Sequence, residues 1–154
     1  MRSPDRFESH PPMLLAGLRR TYGFGDAATG IPAAWAEFVR SLPLPGQVGQ
    51  VTYGVVCGAD MAAQTFEYMC AAQVDGFDAL DPSQGRMRVP QAHYAVFTHA
   101  GPIHDIRATI VAAHDWLAHN GSWVDGQTPE FERYGPDFDP AGGGVEMWVP
   151  VTPA

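Results

Sequence analysis

One order of elements occurs twice along this chain, and that recurrence constrains its fold more than any other feature. Met13 to Tyr22 (MLLAGLRRTY) reads as a strand, and the Gly-rich stretch 23–30 leads into IPAAWAEFVRSL. There Ile31, Trp35, Phe38, Val39 and Leu42 recur at helical spacing, Pro32 suits a first turn, and Pro43 ends the segment. Two strands follow, VTYGVVC at 51–57 and TFEYMCAAQV at 65–74. After turn residues at 78–85 the order repeats. RMRVPQAHYAVFTH (86–99) reads as one strand, with Pro90 near its start. Gly101-Pro102 then opens a helix over 103–119 whose stripe is Ile103, Ile106, Ile110, Ala113 and Leu117, with Asn120-Gly121 as its stop. Runs at 131–134 and 145–151 close the second copy. Strand–helix–strand–strand, twice, predicts an α+β fold of two pseudo-symmetric units, both helices on one side and a central ligand groove where the halves meet. Residues 1–12 are polar and carry Pro4, Pro11 and Pro12, so they are expected to form a flexible tail ahead of a domain at 13–154.

The last quarter, TPEFERYGPDFDPAGGGVEMWVPV, carries the candidate site. Phe131–Tyr134 and Val145–Val151 flank a Gly-, Pro- and Asp-rich link, the pattern of a hairpin with a long loop. In the second run Val145, Met147, Val149 and Val151 alternate with Glu146, Trp148 and Pro150, so the aliphatics take one face and the acid and indole the other. Glu132 and Tyr134 share a face of the first run in the same way. Glu is depleted in strands, and a carboxylate beside a ring, twice on paired strands, suits a pocket for an aromatic or cationic molecule. Tyr53, Tyr68, Phe97 and Trp123 are further candidates for its walls. Tyr53 and Tyr68 alternate with apolar neighbours and read as core before they read as ligand contacts, whereas Trp123 lies in the polar stretch NGSWVDG and fits either role.

The net charge is −8, and all nine basic residues are Arg. Such a surface repels phosphate backbones, which argues against nucleic acid, and it attracts cations weakly. Cys57 and Cys70 sit in apolar runs outside any CxxC pair and read as unlinked thiols. The six His lack metal-ligand spacing, there is no GxSxG, and the GGG at 142–144 precedes a strand and not a helix. No metal, cofactor or membrane association is expected, and a cytoplasmic location is.

HYAVFTHAGPI at 93–103, FERY at 131–134 with DFDP at 137–140, VEMWVPV at 145–151 and YGVVCG at 53–58 together resemble the GyrI-like small-molecule-binding domain, the effector-binding part of some AraC-type and MerR-type regulators. The resemblance runs from about residue 13 to the end. It implies an SHS2-like duplication, with an aromatic-lined groove holding a buried glutamate that meets lipophilic or aromatic cations. By its place in FERY that glutamate corresponds to Glu132, with Glu146 as second choice. Some stand-alone relatives are implied to hydrolyse strained, cyclopropane-bearing compounds with a pocket acid, again Glu132 or Glu146 here. Since only residues 1–12 precede the domain, the resemblance implies a stand-alone binding protein and not a transcription factor. The expectation is thus a multidrug- or toxin-binding protein, with a detoxifying hydrolase as the alternative.

Overall fold

The computed structural model describes all 154 residues. In chain order the elements are β1 (Arg6–His10), β2 (Met13–Gly23), α1 (Ala27–Val39), β3 (Gln47–Asp60), β4 (Thr65–Val74), β5 (Gly85–Val89), β6 (Ala92–Thr98), a 3₁₀ turn (Ile103–Asp105) running into α2 (Ile106–His119), β7 (Trp123–Asp125), β8 (Phe131–Tyr134) and β9 (Val145–Pro153). They form two compact units, one of Met13–Val89 and one of Met1–Pro12 with Pro90–Ala154. Neither helix is long and apolar enough to cross a membrane.

In the Met13–Val89 unit the strands lie in the order β3-β4-β2-β5, all antiparallel. Ala16, Tyr68, Cys70, Ala72 and Val74 line the sheet face that packs on Ala34 and Phe38 of α1. Gly17 leaves room for neighbours on both sheet and helix, since a Cβ there would run into the Cys70 carbonyl and stand 2.9 Å from the Phe38 ring. The helix begins at Ala27, four residues before the expected start, and ends at Val39. Its first turn is set by Asp26, whose carbonyl accepts the Gly30 N–H at 2.8 Å. Gly30 belongs inside the helix because a Cβ there would lie 2.7 Å from the Tyr22 ring.

The other unit repeats the plan. With β7 inserted after α2, β6, α2, β8 and β9 follow one another as β2, α1, β3 and β4 do, and in each repeat the fourth element is the central strand: β4 between β3 and β2, β9 between β8 and β6. Ala95, Phe97, Met147, Val149 and Val151 pack on Ala113 and Trp116 of α2. The expected duplicated α+β plan is present.

Two expectations need correcting. The supposed tail contains β1, an edge strand paired antiparallel with β6 from Arg6↔Val96 to His10↔Ala92. Its alternation of Arg, Phe, Glu, Ser and His looked merely polar in the sequence. The single strand expected over 86–99 is two strands. Pro90 has no N–H to continue a ladder, and at this break β5 pairs with β2 while β6 pairs with β1 and β9. The stop after α2 is a side-chain cap. Asn120 donates Nδ2 to the carbonyls of Trp116 and Leu117 at 3.1 and 3.0 Å, and its Oδ1 accepts the N–H groups of Ser122 and Trp123.

Candidate functional site

Directly opposed residues of an antiparallel pair share a sheet face, so register decides which side chains meet. Across β8 and β9 the partners are Phe131↔Trp148, Glu132↔Met147, Arg133↔Glu146 and Tyr134↔Val145. Glu132 and Tyr134 therefore lie on the α2 side with Met147, whereas Glu146 and Trp148 lie on the reverse side with Phe131 and Arg133. The two carboxylate–aromatic pairs stand back to back and do not line one wall.

On the α2 side, Glu132 is 8% exposed, and the Tyr134 hydroxyl donates to its Oε1 at 2.7 Å. A buried carboxylate that accepts a hydroxyl hydrogen bond is held in one orientation. Phe138 meets the Tyr134 ring edge-on, with centroids 4.9 Å apart. The loop between the strands sets that contact, because Gly144, at φ +78°, lies where a Cβ would come within 2.5 Å of the Phe138 Cα. The Gly-rich link thus supports the site and does not merely join two strands.

On the reverse side Trp148 stacks on Phe131 with centroids 5.6 Å apart and meets Tyr94 at 5.5 Å. Its indole N–H donates to Glu146 Oε1 at 3.1 Å. Arg6 donates to Glu146 Oε2 at 2.5 Å, and Arg133 approaches the other oxygen at 3.6 Å. Burial pushes the Glu146 carboxyl up, but hydrogen bonds from Arg6 and Trp148 and the charges of Arg6 and Arg133 outweigh it and hold the group below the usual carboxylate range. Glu146 is thus a neutralised strand acid. The signal for this was hidden, because Arg6 lies in the segment read as a tail.

The remaining candidates are dispersed. Phe97 is fully buried on the α2 side, edge-on to Trp116 at 5.7 Å. In the other unit Tyr68 faces α1 and accepts the Trp35 indole N–H at 3.1 Å, which the helical stripe alone could not reveal. Tyr53 opposes Ala71, on the face turned away from α1, and is 3% exposed. Trp123 is not in a loop: it opens β7 and stacks on Phe7 at 5.0 Å and His93 at 5.6 Å.

Two copies of one strand–helix–strand–strand plan, one of them presenting a buried glutamate, define a duplicated α+β domain. The chain belongs to the GyrI-like family, whose small molecule binding domain matches residues 6–152, β1 included. Among solved structures, that of SAV2435 bound to tetraphenylphosphonium covers 99% of this chain and 94% of its own, with TM-score 0.74 and 18% identity. The C-terminal domain of EcmrR covers 97% of each chain, with TM-score 0.69 and 15% identity. An integron cassette protein from the mobile metagenome of Vibrio cholerae covers 96% and 95%, with TM-score 0.66 and 14% identity. At these identities the likeness is one of fold. No curated protein matches the sequence.

Proposed function

We propose that this small-molecule-binding domain takes lipophilic cations and that Glu132 supplies the opposing charge. The observation that carries the reading is the burial of Glu132, 8% exposed, with the Tyr134 hydroxyl 2.7 Å from its carboxylate. A cation brought to a poorly hydrated carboxylate gains far more than it would from a surface acid, and an adjacent ring adds roughly 0.5–2 kcal/mol as a cation–π contact. Glu146 is the weaker choice, because Arg6 and Arg133 already answer its charge. The tetraphenylphosphonium on SAV2435, a protein of like fold, supports a cationic ligand class. Sequestering or sensing toxic cations is the role this chemistry fits.

Calorimetric titration with tetraphenylphosphonium tests the assignment. Glu132→Gln keeps the shape and removes the charge, and it should weaken binding by roughly 1–3 kcal/mol, while neutral ligands of similar size change much less. Unchanged affinity for the cation would move the charge elsewhere, first to Glu146.

A second reading, hydrolysis of strained cyclopropane-bearing electrophiles, draws on the same hydroxyl–carboxylate pair. Glu132 would take a proton from the water whose oxygen bonds to the ring carbon as the strained C–C bond breaks, the released electron pair passing to the electrophile's conjugated acceptor, which then takes up a proton, with Tyr134 fixing the carboxylate. Under that reading Glu132→Gln abolishes turnover in a product assay while substrate affinity stays nearly intact.

A further inference from the structure

We propose a second small-molecule site, independent of Glu132, in the recess that Trp123 and His93 wall at the end of α2, and we assign it to neutral planar aromatic compounds of about two fused rings. The recess holds about 400 Å³, at the small end of the range for ligand pockets.

Its walls are built before any ligand arrives. α2 stops at His119, and beyond its end half-buried His93 and Trp123 border the recess with Pro153. β7 runs beside the end of β9, paired with it from Trp123↔Pro153 to Asp125↔Val151. Gly126 then donates its N–H to the Pro150 carbonyl, and a Cβ there would stand 3.1 Å from the Val151 nitrogen, so this corner closes tightly on β9. Asn120 fixes Trp123 from the other side, accepting its N–H at 2.7 Å and donating to its carbonyl at 3.2 Å.

Asn120 holds the Trp123 backbone, and stacking holds the indole. It lies 27° from the Phe7 ring plane and 29° from that of His93, which are themselves within 6° of parallel. Ser9 and His93 Nδ1 are hydrogen-bonded at 3.0 Å, which stops the imidazole from turning. A stack whose rings already pack on one another loses little conformational entropy when another ring joins it.

The ligand class follows from what lines the cavity. Trp123, His93, Val151 and Pro153 offer rings and apolar surface, Gln91 offers an amide at the rim, and no carboxylate or guanidinium contributes. A cation therefore gains nothing here that Glu132 would not offer more strongly, whereas a flat neutral ring with one hydroxyl fits both the stack and the amide.

The test is a titration of ¹⁵N-labelled protein with 2-naphthol, which is neutral at pH 7. The four Trp indole N–H signals separate the sites, because Trp35, Trp116, Trp123 and Trp148 lie in different environments. The expected result is one saturable curve for the Trp123 indole and the backbone amides of 123–126 and 151–153. Trp123→Leu should weaken binding roughly fivefold or more, and Glu132→Gln should change it by less than about twofold. Should Trp123→Leu fail to fold, Gln91→Trp fills the exposed rim without touching the stack and should weaken 2-naphthol to a similar degree. Largest shifts around Glu132 and Phe138, or undiminished affinity in the folded variants, would overturn the proposal. So would displacement of 2-naphthol by tetraphenylphosphonium with a loss of both in Glu132→Gln. Failure of Glu132→Gln to weaken tetraphenylphosphonium would strike the cation site alone.

Discussion

Glu132 stands opposite Met147 across the β8–β9 pair, not opposite Glu146. One residue of register separates a buried acid on the helix-covered face from an acid neutralised by two arginines on the other. The two glutamates are alike in sequence context, each two residues before an aromatic, yet they lie on opposite faces of the sheet.

Glu146 should behave as a structural acid with a pH signature. Its carboxyl is held low when folded, so its contribution is present above the ordinary carboxylate range and is lost as pH falls through the depressed folded value. Denaturant unfolding between pH 7 and pH 3 should show Glu146→Gln less stable at neutral pH by on the order of 1 kcal/mol, a figure kept small because Arg6 is 41% exposed. The two stability curves should converge on acidification. Parallel curves would mean the ion pair contributes nothing.

His114 carries the opposite sign. The hydrogen bond to Glu130, at 2.8 Å, raises its imidazole above the usual range, and burial opposes this less strongly. The stabilisation is complete below the unfolded imidazole range and disappears as pH rises through the raised folded value. An NMR titration of the His114 ring proton should give a midpoint above that of a free imidazole, and Glu130→Gln should lower it.

Gly17→Ala tests the tight packing of β2 against β4 and α1. The added methyl meets backbone at Cys70 as well as the Phe38 ring, so a side-chain rotation alone cannot relieve it. A loss of roughly 1–3 kcal/mol is expected in chemical denaturation, the usual range for overpacking. A stability within a few tenths of wild type would show that β2 and β4 shift apart freely.

The cysteines should differ in the folded protein. Both are unlinked, Cys70 is fully buried, and burial pushes the half-buried Cys57 thiol up, with Arg19 opposing. Native protein should react slowly with a disulfide reagent at Cys57 and not at Cys70. Denatured protein should release two thiols per chain.

Most of the architecture was legible because apolar periodicity is local. The stripe of α2 and the alternation of β9 are visible over a few residues, and so is the Asn120-Gly121 stop. Register is not local. Nothing in FERY or VEMWVPV says whether Glu132 will face Met147 or Trp148, since that depends on the ten residues of loop between them. The partners of Glu146 were equally out of reach, because Arg6 arrives from the other end of the chain in a five-residue strand whose alternation carries little apolar signal. Trp123 was misplaced for a related reason: β7 has only three residues, too few for any periodicity to register.

The pairing of β1 with β6 has a kinetic side. The Met13–Val89 unit is one uninterrupted stretch and can close through contacts made within itself. The other unit takes its edge strand from the far side of that stretch, so β1 leaves the ribosome first and finds its partner only after everything between them has been made. Until then Phe7 has no Trp123 to cover it. Closing so long a loop is entropically slow, which makes the β1–β6 ladder a late event in folding.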